Sequence, residues 1–438
     1  MLEKFFGLKK AGTDLKTEFR AGTITFLSMA YIIAVQPVVL SKAGMDAGAV
    51  MVATCIASAF ATLFMGLYAN YPIGLAPGMG ENFYFSYSLV QGRGIPWTVA
   101  LGVVFWSGLA FFGVTLLKIR EKIVDAIPRS LKNAIAVGIG FFIAYLGLEE
   151  SGIIKIRGGN PSLGDLHNPG TLLAIFGLFV ITMFIARKVK GAIFLGMGIT
   201  FILGIPFGIV KFHGFVSSPP SLSPILFKMD IKAALSLSLV VPIIAFFIMD
   251  LFDTIGTLIG VAEQAGFVDE EGKMPRINRA LMADAVGTVV GSGLGTSTVT
   301  SYIESATGVA EGGRTGLTSV FVSIYFILSL FFYPIVQSLV GGFNWHGETV
   351  YPVTSPVLII VGAMMFSNIR KIDLTDPTEF VPSLLTVLGM PLTMSISNGL
   401  GFGFISYSLL KLLSGRGKEV SPVLHILALL FVLKFAFL

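Results

Sequence analysis

The chain has 438 residues, of which 54% are hydrophobic and only 13% are charged. Soluble domains carry about 25% charged residues, so this composition excludes an ordinary soluble protein. The formal net charge is +5, but the basic residues lie in short loops between apolar runs. Such a placement sets membrane topology and argues against a nucleic-acid partner.

Apolar runs recur along the whole chain. Residues 1–20 are polar and basic with no cleavage site after the first apolar run, which predicts a cytoplasmic leader rather than a removed signal peptide. Runs of about 20 residues without a charge are long enough to cross roughly 30 Å of hydrocarbon as helices. The sequence therefore predicts an all-α polytopic membrane protein. Its fourteen segments, two of them short, are 21–41, 49–69, 79–91, 96–117, 132–149, 171–186, 192–210, 235–261, 278–292, 302–310, 315–340, 351–368, 377–393 and 396–413.

Lysine and arginine are unevenly distributed between alternate loops. With the N-terminus in the cytoplasm, the inner loops carry 22 of these residues and the outer loops carry 7, with Lys434 in the tail. Cytoplasmic loops show this excess. We therefore predict a multi-pass protein of the cell (inner) membrane with a cytoplasmic N-terminus. The sequence leaves open whether the last apolar run, 421–438, crosses the bilayer or lies along its surface.

Two regions interrupt the helical pattern at corresponding places. Residues 71–80 precede a short helical stretch near Glu81, and residues 291–300 precede another near Tyr302. Glycine and proline are poor helix formers, and a Thr-Ser-Thr-Val-Thr run favours extended chain. Glu81 and Glu304 lie 223 residues apart, about half the chain. Since seven segments per half is an odd number, the pattern predicts two inverted seven-segment repeats, broken in segments 3 and 10, with a substrate site at their interface.

Carboxylates are predicted at membrane depth. An ionised carboxylate there costs roughly 2.5–3.5 kcal/mol, so each needs a partner, a proton or a water-filled cavity. No lysine, arginine or histidine lies deep inside the same segments. Desolvation favours the protonated form, which suits proton coupling. The five carboxylates are Glu81, Asp250, Asp253, Asp284 and Glu304.

The neighbours of these carboxylates indicate what they bind. Asp250 and Asp253 are three residues apart and share a helix face, with Thr254 beside them. Glu304 begins a short helix, where free backbone N–H groups gather. Asn82 is expected to hold the matching place at the first break, with an amide donor and acceptor. A planar heterocycle with amide-like edges needs this mixture of donors and acceptors.

Structural roles compete for three of the carboxylates. Asp284 would equally cap or brace a neighbouring broken segment, and Asp250 would equally be a hydrogen bonder in helix packing. Glu81 cannot share a direction with its neighbour Asn82, so it is expected to point away from the site. Asp250, Glu81, Asp284 and Thr254 are therefore assigned to proton coupling or support.

Three motifs together resemble one family. They are APGMGEN at 76–82, DLFDTIGTL at 250–258 and GTSTVTSYIESATG at 295–308. The chain resembles the azaguanine-type purine permeases of the xanthine/uracil (nucleobase–ascorbate) permease superfamily from about Phe5 to its C-terminus. The resemblance implies fourteen spans in two inverted sevens. It also implies a core domain, residues 1–118 and 233–340, and a gate domain, residues 119–232 and 341–438.

The resemblance also implies a function. Family members import adenine, guanine and hypoxanthine by proton symport, with the core sliding against the gate. In the family motif leucine usually occupies the position of Glu81, so this extra carboxylate bears on the purine preferred or on the coupling ion. The resemblance assigns to the substrate Asp253, Glu304, Asn82 and backbone groups near Gly78 and Gly80. We add Thr300 as a further substrate-binding candidate.

We interpret the chain as a proton-coupled purine nucleobase permease in the lipid bilayer, not an enzyme, with no cofactor. A uracil, xanthine or anion carrier of the same fold, Na⁺ coupling and a passive channel are the alternatives. An anion carrier should have a basic residue at a break, and none occurs. A membrane-embedded hydrolase would need a nucleophile–base pair or a metal cluster, and Cys55 and the four scattered histidines provide neither. The preferred purine and a homodimeric state stay open.

Overall fold

A computed structural model describes residues 2–117, 126–157, 160–267 and 274–437. The described residues form mainly helices, and the α-helices pack side by side. In chain order they are α1 (Leu2–Phe6), α2 (Leu15–Met29), α3 (Ile32–Ser41), α4 (Ala47–Phe64), α5 (Met79–Phe83), α6 (Trp97–Leu116), α7 (Arg129–Glu150), α8 (Pro169–Ala186), α9 (Ala192–Gly204), α10 (Val240–Ala265), α11 (Ile277–Leu294), α12 (Ser305–Ala310), α13 (Gly316–Ser329), α14 (Tyr333–Leu339), α15 (Ser355–Phe366), α16 (Pro377–Leu392), α17 (Ile396–Leu413) and α18 (Pro422–Phe437).

Short strands join in three pairs, β1 with β4, β2 with β3 and β5 with β6. Two π-helical stretches, Met65–Ala69 and Tyr84–Gln91, continue α4 and α5. The strands are β1 (Leu75–Pro77), β2 (Ile154–Arg157), β3 (Asn160–Leu163), β4 (Val299–Ser301), β5 (Phe343–Trp345) and β6 (Glu348–Val350).

The prediction of a polytopic helical membrane protein is confirmed. Seven of the described helical stretches are long and apolar enough to cross a membrane. The other segments are shorter or less apolar, and segments 3 and 10 are short because each starts as a strand. Segments 1 to 14 correspond to α2 with α3, α4, β1 with α5, α6, α7, α8, α9, α10, α11, β4 with α12, α13 with α14, α15, α16 and α17.

The two halves repeat the same order of elements in opposite orientation. Each half has two long segments, then a strand followed by a short helix, then four further segments. The strands β1 and β4 pair antiparallel. Gly78 N donates to Thr298 O and Tyr302 N donates to Gly74 O, both at 2.9 Å. Gly74 and Thr298 are 224 residues apart, and so are Gly78 and Tyr302. The same offset thus relates both hydrogen bonds, so the ribbon formed by β1 and β4 has an approximate two-fold axis.

The helices pack in two groups. In the first group, α13 packs against α2 and α4, and α11 packs against α4 and α6. The short helix α12 packs against α2 and α10, and α3 packs against α4 and α5. In the other group α7 packs against α15, α16 and α17, while α8 packs against α9 and α15. Backbones approach closely where α7 crosses α15, because a Cβ at Gly362 would overlap the carbonyl oxygen of Gly140. Phe83 and Phe142, with ring centroids 6.4 Å apart, belong to the apolar core that joins the two groups.

Contacts between loops fit the predicted alternation of the segments. On the face that contains α1, called here the N-terminal face, Glu311 pairs with Arg20 and Lys190. On the opposite face, Lys42 Nζ lies 3.9 Å from Glu150 Oε1. Each pair joins loops that the sequence places on the same side of the membrane.

The last apolar run forms α18, which lies antiparallel to α17 along its length. Near one end, Ser408 Oγ and His425 Nδ1 are 2.6 Å apart. Near the other end, Lys434 Nζ donates to Ser397 Oγ at 2.8 Å. The run therefore returns alongside the preceding span.

Two hairpins were not predicted from the sequence. Both β2–β3 and β5–β6 lie in loops, where no apolar periodicity marks a strand. His346 and Gly347 have positive φ angles of 50° and 85°, as a tight hairpin turn requires. The fold is therefore all-α across its segments, with small sheets in two connecting loops and one at the breaks.

Candidate functional site

The ribbon formed by β1 and β4 is held by a threonine of each preceding long helix. Thr62 Oγ1, on α4, donates to Leu75 O at 2.9 Å and accepts from Leu75 N at 2.8 Å. Thr288 Oγ1, on α11, lies 3.1 Å from both Val299 O and Val299 N. Backbone polar groups at membrane depth must find partners within the protein. The two threonine hydroxyl groups supply these partners on the outer edges of β1 and β4, where no further strand pairs.

Two of the five predicted carboxylates remain open to a ligand. Asp253 and Glu304 are partly exposed, whereas Asp250, Asp284 and Glu81 are buried. Asp253 on α10 and Glu304 lie close enough for their charges to interact. The next turn of α10 is also open, because a Cβ added at Gly256 would meet nothing within 4 Å. A molecule with N–H donors can therefore approach both carboxylates together.

Glu304 precedes the first residue of α12, so its prediction as the start of a short helix is confirmed. Its side chain makes no capping bond to that helix. Tyr31 on segment 1 donates its hydroxyl to Glu304 Oε1 at 2.9 Å. The rings of Tyr31 and Tyr302 lie 6.5 Å apart, and the Tyr302 hydroxyl donates to Pro77 O at 2.6 Å. Glu304 is thus oriented by a tyrosine from the first repeat.

Asp250 and Asp284 form a buried acidic pair behind the ribbon. Asp284 Oδ1 accepts from Ser301 Oγ at 3.1 Å. Asp250 Oδ2 lies 3.1 Å from Thr288 Oγ1, whose one proton goes either to Asp250 or to Val299 O. The two carboxyl groups are within hydrogen-bonding reach of each other. One carboxyl group can donate to another only when it carries a proton. The pair therefore braces β4 through Ser301.

Thr254 and Thr300 complete this buried layer. Their hydroxyl oxygens are 2.7 Å apart, and both side chains are almost fully buried. Thr254 also lies within hydrogen-bonding reach of Asp284. The hydroxyl of Thr300 therefore faces α10 and the acidic pair, and it does not point toward the open side at Asp253.

Asn82 lies deeper than Glu304. It is fully buried, and its Oδ1 accepts a hydrogen bond from Ser297 Oγ. In the described part of the chain its Nδ2 has no partner. The 224-residue offset between the repeats makes Gly80, not Asn82, the position equivalent to Glu304. The expectation that Asn82 holds the matching place is corrected, since a count between acidic residues does not give the register that backbone hydrogen bonds impose.

The glycines of the first break allow close packing. A Cβ at Gly78 would collide with the carboxylate of Glu81 and with Thr300. Glu81 thus folds back over Gly78, while Asn82 turns to Ser297. A Cβ at Gly80 would lie 2.8 Å from Ile139 Cγ2 on α7. Gly80 therefore lets segment 3 approach the other helix group at the level of the site.

Sequence reasoning missed several polar residues that build the site. Gln36 on α3 is fully buried and donates to Thr296 Oγ1 at 2.8 Å. Tyr31, Thr62 and Thr288 were not singled out either. A buried amide within an apolar segment was a usable signal, because polar groups at membrane depth are rare and have partners. The tyrosine and threonines carried no such signal, since both residue types are common in membrane helices.

These features together define a class of protein. Two inverted repeats whose broken segments meet at mid-depth, beside two approachable carboxylates, are the architecture of a membrane transport protein. The transmembrane domain of the cyanobacterial bicarbonate transporter BicA has the same fold, with a TM-score of 0.61 at 16% identity, over 89% of this chain and 97% of that one.

The sequence comparison defines the family. The model of the permease family that includes xanthine and uracil permeases matches residues 16–402, and the chain belongs to this family. It is 52% identical to a putative permease of Methanocaldococcus jannaschii, over 100% of this chain and 98% of that protein. It is 41% identical to the adenine permease AdeP of Escherichia coli K12, over 100% and 96%. It is 40% identical to the guanine/hypoxanthine permease PbuO of Bacillus subtilis 168, over 98% and 99%.

The hydrogen bond from Ser301 to Asp284 predicts that Asp284 contributes more to stability than Glu304 does. Asp284→Ala should lower the melting temperature of the purified protein more than Glu304→Ala does. Without Asp284, the buried hydroxyl of Ser301 loses its acceptor, which costs roughly 1–3 kcal/mol. Thermal unfolding in detergent without substrate measures the difference, with Glu348→Ala in the exposed β5–β6 hairpin as control. Equal losses at Asp284 and Glu304 would contradict the bracing role.

Proposed function

We propose that the protein imports purine nucleobases, namely adenine, guanine or hypoxanthine, across the cell inner membrane as a secondary active transporter. The observation that carries the proposal is the position of Asp253 and Glu304. They are partly exposed side by side, next to the point where the two repeats meet. Relatives named for adenine and for guanine/hypoxanthine transport match nearly the whole chain.

The chemistry of a purine fits these groups. Its ring N–H and exocyclic N–H donors match two carboxylate acceptors, and bonds to a charged group are the stronger kind. Tyr31 already donates to one oxygen of Glu304, which leaves the other oxygen for the base. The rings of Tyr31 and Tyr302 are buried beside Glu304 and form the apolar wall behind this carboxylate. The Nδ2 group of Asn82, which has no partner among the described residues, would donate to an acceptor on the purine if the Ser297 side chain shifted slightly.

Coupling to protons is proposed on the buried acidic pair. Asp250 and Asp284 share hydrogen-bonding reach, and no lysine or arginine pairs with either of them among the described residues. Protonation removes a charge that is costly at membrane depth. Thr254 links the pair to the helix that carries Asp253. A proton on this pair would thus influence the carboxylate that faces the base. Glu81, which lies near Asp253, belongs to the same layer.

Transport requires the two helix groups to move relative to each other. We propose that the group built on residues 1–118 and 233–340 is the core and that residues 119–232 and 341–438 form the gate. On the opposite face, Tyr87 of the core donates to Glu150 of the gate at 3.0 Å. On the N-terminal face, which we place in the cytoplasm, Glu311 of the core pairs with Lys190 of the gate. Such polar contacts exchange more readily than an apolar interface when the core slides.

Uptake of labelled bases tests the cargo. In cells that lack their own purine transporters, the protein should give saturable uptake of at least one of adenine, guanine and hypoxanthine. Unlabelled purines should compete, because one site accepts the shared ring edges. Cells with the empty vector are the control. Uptake of uracil, xanthine or bicarbonate without competition by these purines would contradict the proposal.

The carboxylate of Glu304 gives a sharper test. Glu304→Gln keeps the shape but replaces an accepting oxygen with a donor. A mismatched polar pair in a desolvated site costs roughly 1–3 kcal/mol, or about 5- to 150-fold in affinity. Binding of labelled purine to purified protein measures this loss, and an unchanged melting temperature shows that the fold is intact. Glu348→Gln should bind as the parent does. If Glu304→Gln also bound every purine normally, the site would lie elsewhere.

The coupling ion is tested by pH. Uptake should rise as the external pH falls from about 8 to 6, since a proton symporter draws on the higher proton concentration outside. A protonophore should abolish accumulation, whereas replacing Na⁺ with K⁺ at constant pH should change little. A sodium requirement without a protonophore effect would instead establish Na⁺ symport.

A further inference from the structure

A polar cleft of about 370 Å³ lies on the opposite face, between segment 3 and the C-terminal helices. It is separate from the site at Asp253 and Glu304. Its walls come from the end of segment 3, the start of α17 and the end of α18. Two basic residues line it, Arg93 and Lys434, and no acidic residue does among its described lining.

Lys434 is buried without a counter-charge. Only 8% of it is exposed, and its Nζ donates to Ser397 Oγ at 2.8 Å and to Asn398 Oδ1 at 2.9 Å. The third N–H of the ammonium group has no acceptor in the part of the chain described here. Phe435 adds a cation–π contact at 5.1 Å. An isolated ammonium group removed from water is costly, and these neutral partners offset only part of that cost.

A second buried lysine shows how this chain otherwise compensates such a charge. Lys411 on α17 is 1% exposed, and its Nζ lies 3.0 Å from both Glu379 and Glu419 and 3.8 Å from Asp376. Both lysines are buried, but Lys434 has hydroxyl and amide partners where Lys411 has three carboxylates. A bound anion would provide the negative charge that Lys434 lacks.

Arg93, at the rim of the cleft, is a second basic residue that favours an anion there. It is exposed in the turn after segment 3, and it has no hydrogen-bond or ion-pair partner among the described residues. Arg93 and Lys434 line one cleft together with Tyr84 and Ser397. This set contains cationic and hydroxyl donors of the kind that hold phosphate oxygens.

We propose that this cleft binds an anionic phosphate group, carried by a lipid headgroup or free in solution. The helix α18 contributes Lys434 and Phe435 to the cleft, and its neighbouring residues Val432 and Leu433 are each 44% exposed. Acyl chains can pack along this surface while the phosphate reaches Lys434. The anion would bridge segment 3 and the C-terminal helices, and so it would stabilise the contact between the two helix groups on this face.

Thermal unfolding tests the site and identifies its ligand. The purified full chain in a non-ionic detergent is titrated with phosphatidylglycerol, with neutral phosphatidylcholine or with inorganic phosphate. Phosphatidylglycerol should raise the melting temperature in a saturable way, and phosphatidylcholine should not. Arg93→Gln and Lys434→Gln should each weaken the apparent affinity by about tenfold, the worth of one bond to a charged group. Lys228→Gln, an exposed lysine on the same face, is the matched control.

Each outcome bears on the proposal. Stabilisation by inorganic phosphate that depends on Arg93 and Lys434 would support the site and identify a free anion as its ligand. Equal stabilisation of the parent, Arg93→Gln and Lys434→Gln would overturn it, as would equal effects of the two lipids without stabilisation by inorganic phosphate, or no stabilisation by any of the three. Arg93→Gln keeps the test decisive if Lys434→Gln fails to fold, because Arg93 is exposed.

Discussion

The antiparallel pairing of β1 with β4 is the constraint on which the rest of the structure depends. Extended chain at membrane depth has no water to satisfy its N–H and C=O groups. Three residues from each repeat pair with each other, and Thr62 and Thr288 satisfy groups on the outer edges. Neither broken segment could exist alone in the bilayer, so the two halves of the chain must fold against each other.

The ribbon also sorts the acidic residues by environment. Asp250 and Asp284 lie behind it, where hydroxyl groups of Thr288 and Ser301 hold them, and neither is exposed. Asp253 and Glu304 lie where a ligand can approach them. A carboxylate that faces water can stay charged, whereas one in an apolar interior needs a proton or a partner. The same residue type is thus partly exposed in one layer and braces the ribbon in the other.

Some features of the site could not have been predicted from one sequence. Tyr31 contacts Glu304 across 273 residues, and Ser297 contacts Asn82 across 215. Nothing local in the sequence links such partners. The equivalence of Gly80 and Glu304 in the two repeats was missed for a related reason. Sequence spacing between acidic residues approximates the repeat, but only backbone hydrogen bonds across the ribbon fix it to the residue.

By itself, the sequence determined that the chain is a polytopic helical membrane protein with two broken segments. Hydropathy, charge asymmetry and glycine content act locally, so they can be read without knowing any contact. Its motifs also indicated the family. The tertiary structure alone decided which carboxylates are buried, which polar groups pair across the repeats and how α18 returns beside α17. These properties depend on contacts between residues far apart in the chain, because burial and hydrogen bonding are set by neighbours in space.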